Sequence, residues 1–371
     1  MDKETNNLIS DLGVQGAVGL KCNPSGVEGD LAMFGPRLCD RLYGLKAYHD
    51  YPYLALLRRI KSEGRKKGDR TGTGTTAIFG HQMRFSLLGG VVPLLTSKKM
   101  FIPAIVHEII WYLSGSSNIK YLQDNGVRIW NEWADANGDL GPVYGFQWRN
   151  WPTYEFEVFD NPSDEPLFYV KEGRIDQIAN LIHDLKNSPD SRRLMVTAWN
   201  VGQLQDMKLP PCHYTFQFYS EEMTQEERMA YVQSSRDLSE EDMWEIFSGH
   251  DVEEILEQWN APKRYLSCML SQRSADAFLG VPFNIAQYSI LTHLFAKLTG
   301  MVAKDFIWNG GDCHIYDNLQ DQVNEQLSRT PYASPKLKIA DTVDNIDNLK
   351  YNDFEFIDYE FHPAIKGQVA V

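Results

Sequence analysis

The stretch Leu209-Pro210-Pro211-Cys212-His213-Tyr214-Thr215-Phe216-Gln217-Phe218 sets one cysteine behind two prolines and beside a histidine, inside an apolar run. Proline fixes φ and removes a backbone donor, so the pair predicts a stiff, non-helical turn carrying Cys212. A thiol attacks only as the thiolate, which needs cationic or hydrogen-bonding neighbours. Arginines are at hand in Ser191-Arg192-Arg193 and Gln272-Arg273-Ser274. Most free cysteines are buried and inert, but this one has the setting of a nucleophile. Glu108 lies within the apolar run Pro103–Ser114. Burial raises the pKa of a carboxyl group, which makes Glu108 the best general acid/base candidate.

The elements that must position these groups follow from periodicity. Helices are expected near Tyr51–Glu63, Pro103–Ser114, Ile175–Lys186 and Ile285–Leu298. In the third, Ile175, Ile178, Leu181, Ile182 and Leu185 keep one apolar face. Strands are expected at Thr75–Phe85, Leu194–Trp199, His213–Tyr219, Leu266–Arg273 and Asp305–Trp308. Residues 1–47, rich in Gly, Asn and Pro, are expected to form an irregular arm, and 48–371 the catalytic domain. Two stretches look inserted, at about 154–173 and 221–260. The second carries 13 Asp and Glu against Arg228 and Arg236, interleaved with Met243, Trp244, Ile246, Phe247, Ile255, Leu256 and Trp259. That pattern predicts one or two amphipathic helices in a hairpin connection.

Composition bounds the function. The chain has 371 residues, 43% of them hydrophobic, enough for a packed core. No apolar run approaches the ~20 residues needed to cross a bilayer. No basic region precedes an apolar core at the N-terminus, so no secretory signal is expected. Five cysteines without C-x-x-C spacing argue against a disulfide framework or a metal site and for a reducing cytoplasm. A net charge of −14 argues against nucleic-acid binding, though not against a local basic pocket for a small anion.

The Cys212 decapeptide resembles the active-site segment of the thymidylate synthase family. Other motifs follow in family order: Asp69-Arg70-Thr71-Gly72-Thr73-Gly74-Thr75, His107-Glu108-Ile109-Ile110-Trp111, Ile129-Trp130, Gly141-Pro142-Val143-Tyr144-Gly145, Asp190-Ser191-Arg192-Arg193, Asp276-Ala277-Phe278-Leu279-Gly280-Val281-Pro282-Phe283-Asn284 and His314-Ile315-Tyr316. The resemblance implies an α+β fold, with a large mixed β-sheet flanked by helices and a homodimer formed sheet to sheet. It implies a one-carbon transfer from 5,10-methylenetetrahydrofolate to C5 of dUMP. In that chemistry a thiolate adds to C6, and the resulting enolate lets C5 attack the carbon donor.

The resemblance also assigns roles. Cys212 is the nucleophile, and Glu108, Tyr144 and His213 order water around the base. Arg70, Arg192, Arg193 and Arg273 hold the phosphate, with Arg192 and Arg193 reaching the partner's site and Ser274 adding a hydroxyl. Asn284 reads the base: its amide can donate to O4 and accept from N3–H, which fits uracil. His314 and Tyr316 contact the sugar. Trp130, Leu209, Asp276, Leu279, Gly280, Phe283 and Tyr316 line the folate slot, with Asp276 bonded to the pterin. Lys98 meets the glutamate tail, and the C-terminal segment containing Ala370 closes over the site.

Four residues depart from the usual synthase motifs. Asn131 stands where Asp is usual, Ser271 where Tyr is, Gln287 where Ser is, and Asn309 where Thr is. The phage deoxycytidylate hydroxymethylases depart at the same positions. The departures therefore favour a dUMP hydroxymethylase, in which water completes the reaction and the host cytoplasm is the setting if the chain is phage-encoded. Thymidylate synthesis, completed by hydride, is the alternative, supported by Trp130, Leu209 and the C-terminal tail. A non-catalytic nucleotide-binding regulator is the remote one.

Overall fold

The structure is a computed structural model that describes residues 22–23, 26–27, 47–159, 167–236, 238, 240–248 and 250–369. Of the N-terminal arm it describes, before residue 47, only Cys22–Asn23 and Gly26–Val27, paired antiparallel.

The framework is a six-stranded mixed sheet. Its strands, in chain order, are β1 (Arg65–Lys67), β2 (Thr75–Ser86), β5 (Met195–Thr197), β6 (His213–Glu222), β7 (Arg264–Asp276) and β8 (Val302–Tyr316). The hairpin strands β3 (Trp151–Phe159) and β4 (Leu167–Ile175) lie outside it. The spatial order is β1-β2-β8-β7-β6-β5, with β7 and β8 parallel and every other pair antiparallel.

A parallel pair needs a long crossover. Here it is a helix, Gly280–Thr299, whose sequence is apolar nearly all round and which is buried along almost its whole length. Helix Ile102–Leu113 has the same character, with ten of its twelve residues buried, and it presses Glu108 into the interior. Helix Tyr144–Asn150 packs against it so closely that a Cβ on Gly145 would stand 2.5 Å from the Tyr112 carbonyl. Only glycine permits that approach, which brings Tyr144 beside Cys212.

Of the boundaries that differ from expectation, Ile175 ends β4 and is exposed, so the helix expected from it starts only at Gln177, after the Asp176 cap. Two others shift for further physical reasons. The crossover helix begins at Gly280 rather than Ile285, because Pro282 falls in the first turn, where its missing N–H costs nothing. Phe283 and Asn284 are therefore helical. Strand β8 runs to Tyr316, well beyond Trp308. Gly310, Gly311 and Asp312 break its apolar pattern, but β8 is paired on both sides and backbone ladders carry it.

Both inserted stretches form regular elements among the described residues. The first lies within the antiparallel hairpin β3–β4, in register from Trp151↔Ile175 to Phe159↔Leu167. The turn expected at Asn161-Pro162-Ser163-Asp164 lies outside the described residues. The second extends the β6–β7 hairpin beyond Glu222↔Arg264. It forms three helices rather than one or two: Gln225–Arg236, Glu240–Phe247 and Val252–Gln258. These share a small core of Val232, Phe247, Leu256 and Ala261, separate from the main one.

Candidate active site

Pro210 and Pro211 deliver the chain to β6, leaving Cys212 just before the first strand residue. Arg273, on β7, organises this turn. Its backbone N–H donates to the Cys212 carbonyl at 2.8 Å. Its guanidinium donates from Nε to the Pro211 carbonyl at 2.9 Å and from Nη2 to the Pro210 carbonyl at 2.8 Å. The Cys212 N–H donates to Tyr144 Oη at 2.9 Å. Burial pushes the Cys212 thiol up, while the Arg273 charge pulls it down toward the thiolate. His213 stacks on Tyr144 with ring centroids 4.2 Å apart, and its Nδ1 lies 2.8 Å from Tyr288 Oη. Its burial drives its pKa down to about 3, so it stays neutral.

Glu108 is buried, and that burial raises its pKa. Three donors oppose the shift. Tyr112 Oη donates to Oε1 at 2.9 Å, Trp130 Nε1 donates to the same oxygen at 2.5 Å, and Gln287 Nε2 donates to Oε2. Gln287 Oε1 in turn accepts from Asn284 Nδ2 at 3.3 Å. The general-acid candidate and the base-reading candidate thus belong to one hydrogen-bond chain.

At the end of β7, Asp276 Oδ1 accepts the backbone N–H groups of Phe278 and Leu279, both at 3.0 Å. Burial raises its pKa, with His314 and Lys98 opposing. Leu209, Leu279, Phe283 and Tyr316 are partly buried apolar groups packed on the main core. At Gly280 a Cβ would come within 3.8 Å of Asp276. This donor set suits a flat heterocycle: one carboxylate oxygen is anchored by the backbone, and the other can take ring N–H donors between apolar walls.

The expected folate contacts are otherwise placed as follows. Lys98 is buried, its Nζ donates to the Phe278 carbonyl at 2.5 Å, and burial pushes it down to about 7. A side chain so committed does not reach outward to a glutamate tail. The exposed lysine of the pair is Lys99. Trp130 contributes through its bond to Glu108. Ala370 lies outside the described residues, but the mostly exposed chain before it is held at two points. Asn318 Nδ2 donates to the Gln368 carbonyl at 3.2 Å, and a Cβ on Gly367 would meet Leu279 at 3.0 Å.

Arg70 projects, exposed, from a loop built on Asp69, which accepts the N–H groups of Thr71 at 2.6 Å and Gly74 at 2.7 Å. His314 lies 3.1 Å from Asp312 Oδ1 and edge-on to Tyr316. Ser274 is half-buried next to Arg273. Arg192 and Arg193 are exposed ahead of β5, and among the described residues no hydrogen bond joins them to the Cys212 cluster.

Sequence reasoning missed Tyr112 and Tyr288, the supports of Glu108 and His213. Tyr112 lies four residues beyond Glu108 and Tyr288 four beyond Asn284, so helical spacing was the available signal.

The four departures separate sharply. Asn131 is exposed and accepts from Gln123 at 3.2 Å. Asn309 accepts from Gln82 at 2.7 Å and is in register with Ser271. Their chain neighbours Trp308 and Gln272 bond to each other on the buried face, so Asn309 and Ser271 occupy the opposite one. Only Gln287 enters the site.

The family model for thymidylate synthase matches residues 51–371. A thymidylate synthase of Vesicomyosocius okutanii is 47% identical over 319 residues, covering 86% of this chain and 99% of that protein. One from Francisella philomiragia is 47% identical over 332 residues, with the same coverage of both. The chain belongs to the thymidylate synthase family.

Proposed function

We propose that this protein is a thymidylate synthase, converting dUMP and 5,10-methylenetetrahydrofolate to dTMP and dihydrofolate. The observation that carries the reading is the 47% identity, along nearly the whole length of each, to two thymidylate synthases. The hydroxymethylase reading rested on four departures, and Asn131, Ser271 and Asn309 point away from Cys212 and Glu108. The reading as a silent regulator has no support, since Cys212, Glu108, Asn284 and the arginines are all present.

In this reading, Arg70 and Arg273 hold the nucleotide phosphate, for which guanidinium forks suit better than ammonium. Arg192 and Arg193 come from a second copy docked on the outer face of the sheet. The Cys212 thiolate adds to C6 of the uracil ring, favoured by the Arg273 charge and by the turn that Arg273 rigidifies. Asn284 pairs with O4 and N3–H. Glu108, whose pKa burial raises and three donors lower, moves a proton at the base. The folate supplies the carbon and the hydride, and Asp276 would orient its ring. His314 and Tyr316 bound the sugar.

Mass spectrometry of the product from dUMP tests this. A gain of a methyl group is expected, with the absorbance rise of dihydrofolate. A hydroxymethyl group with no dihydrofolate would restore the hydroxymethylase reading.

A further inference from the structure

Gln287 is 2% exposed, so neither end of its amide has bulk water as an alternative partner. Nε2 faces a Glu108 oxygen, and Oε1 faces Asn284 Nδ2 at 3.3 Å. The directions of these bonds are not free. The bonds from Tyr112 and Trp130 favour the ionised form of Glu108, and an ionised carboxylate only accepts. Its other oxygen already takes a bond from Trp130 Nε1, and an indole N–H only donates. Reversing Gln287 would set its Oε1 against carboxylate lone pairs and its Nε2 against Asn284 Nδ2. Reversing Asn284 alone would set two carbonyl oxygens face to face. Buried polar groups left unpaired in this way are strongly disfavoured.

We propose that Gln287 is a positioning residue that carries the acceptor polarity of Glu108 to Asn284, and so sets which pyrimidine edge the site reads. The inference rests on the reading that Asn284 faces the base of dUMP. With one Nδ2 hydrogen given to Gln287, the other is left for a base oxygen, and Oδ1 is left to accept an N–H. Uracil presents that pair at O4 and N3–H. Cytosine presents the reverse, an amino donor at C4 and an unprotonated N3, and needs the Asn284 amide turned over. A free asparagine turns over readily. Here the chain from Glu108 resists it.

The test is equilibrium binding of dUMP and of dCMP without folate, measured by calorimetry on the full chain. The variants are Gln287→Met, which keeps the volume and removes both bonds, and Gln287→Ala, should the first fail to fold. A merely structural role would weaken both nucleotides together and leave their affinity ratio unchanged. The expected result is a fall in the dUMP:dCMP ratio of about fivefold or more, with dCMP binding tighter than in wild type. A smaller change in ratio in the folded variants overturns the proposal. Wild-type protein with no preference for dUMP would instead overturn the underlying assignment of Asn284 to the base, and the proposal with it.

Discussion

Arg273 holds Cys212 twice over. Its backbone N–H bonds the Cys212 carbonyl at 2.8 Å, while its guanidinium clamps the carbonyls of the two preceding prolines. One residue thus sets both the rigidity of the nucleophile's turn and the positive potential beside its sulfur. Burial raises the thiol pKa and Arg273 lowers it. Arg273→Ala should therefore move the pH profile of Cys212 alkylation to higher pH. At a fixed pH below both midpoints, alkylation should slow about tenfold for every pH unit that the profile moves. An unchanged alkylation profile would remove Arg273 from thiolate stabilisation.

Cys212→Ser should abolish product while leaving dUMP affinity within about tenfold of wild type, or ~1.4 kcal/mol. The phosphate arginines and Asn284 are untouched by the change. Turnover above roughly a hundredth of wild type would show that Cys212 is not the nucleophile.

The acidic three-helix insertion should be separable from catalysis. It has its own core, and Met223 N–H still bonds the Lys263 carbonyl at 2.8 Å where the hairpin leaves the sheet. Replacing residues 224–261 with a short turn should preserve turnover. Within the intact chain, buried Arg228 bonds Glu253 at 2.5 Å and Glu257 at 3.1 Å. Arg228→Ala should loosen the insertion by about 2 kcal/mol, less than a fully buried pair would lose, because both glutamates are half-exposed. Faster proteolysis confined to this segment, at unchanged activity, is the expected readout. Loss of turnover in the shortened but folded protein would place the insertion in the active site.

His49 is buried with neither ring nitrogen in a well-formed hydrogen bond among the described residues, and burial drives its pKa from 6.5 to about 3. A depressed folded-state pKa means that the unfolded chain binds the proton first. The contribution to stability is present above pH ~6.5 and is lost as pH falls toward 3, at about 1.4 kcal/mol per pH unit. His49→Phe should flatten the acid side of the stability curve, measured by denaturant unfolding between about pH 6.5 and 4.5. An equal slope in the variant would show that His49 is protonated in the folded state.

Much of this molecule was legible without coordinates. The apolar run around Glu108 could only be a buried helix, and burial alone raises a carboxyl pKa. The two prolines before Cys212 fixed a turn. The ordered motifs carried the family and with it the mixed sheet. These signals are local: each depends on residues near one another in the chain, or on patterns with a fixed period.

What the sequence could not decide was direction across distance. Asn131, Ser271, Gln287 and Asn309 look equivalent in one dimension, as four polar departures at motif edges. Strand alternation turns Ser271 and Asn309 to the outer face, a surface bond holds Asn131, and helix phase alone brings Gln287 onto Glu108, 179 residues away in the chain. Lys98 was expected to meet the glutamate tail yet is buried beneath Phe278, because the backbone path through Thr96 and Ser97 is fixed by their bonds to Asp50. Residue type limits what a group can do, but which partner it meets depends on packing between segments, and no local pattern records that.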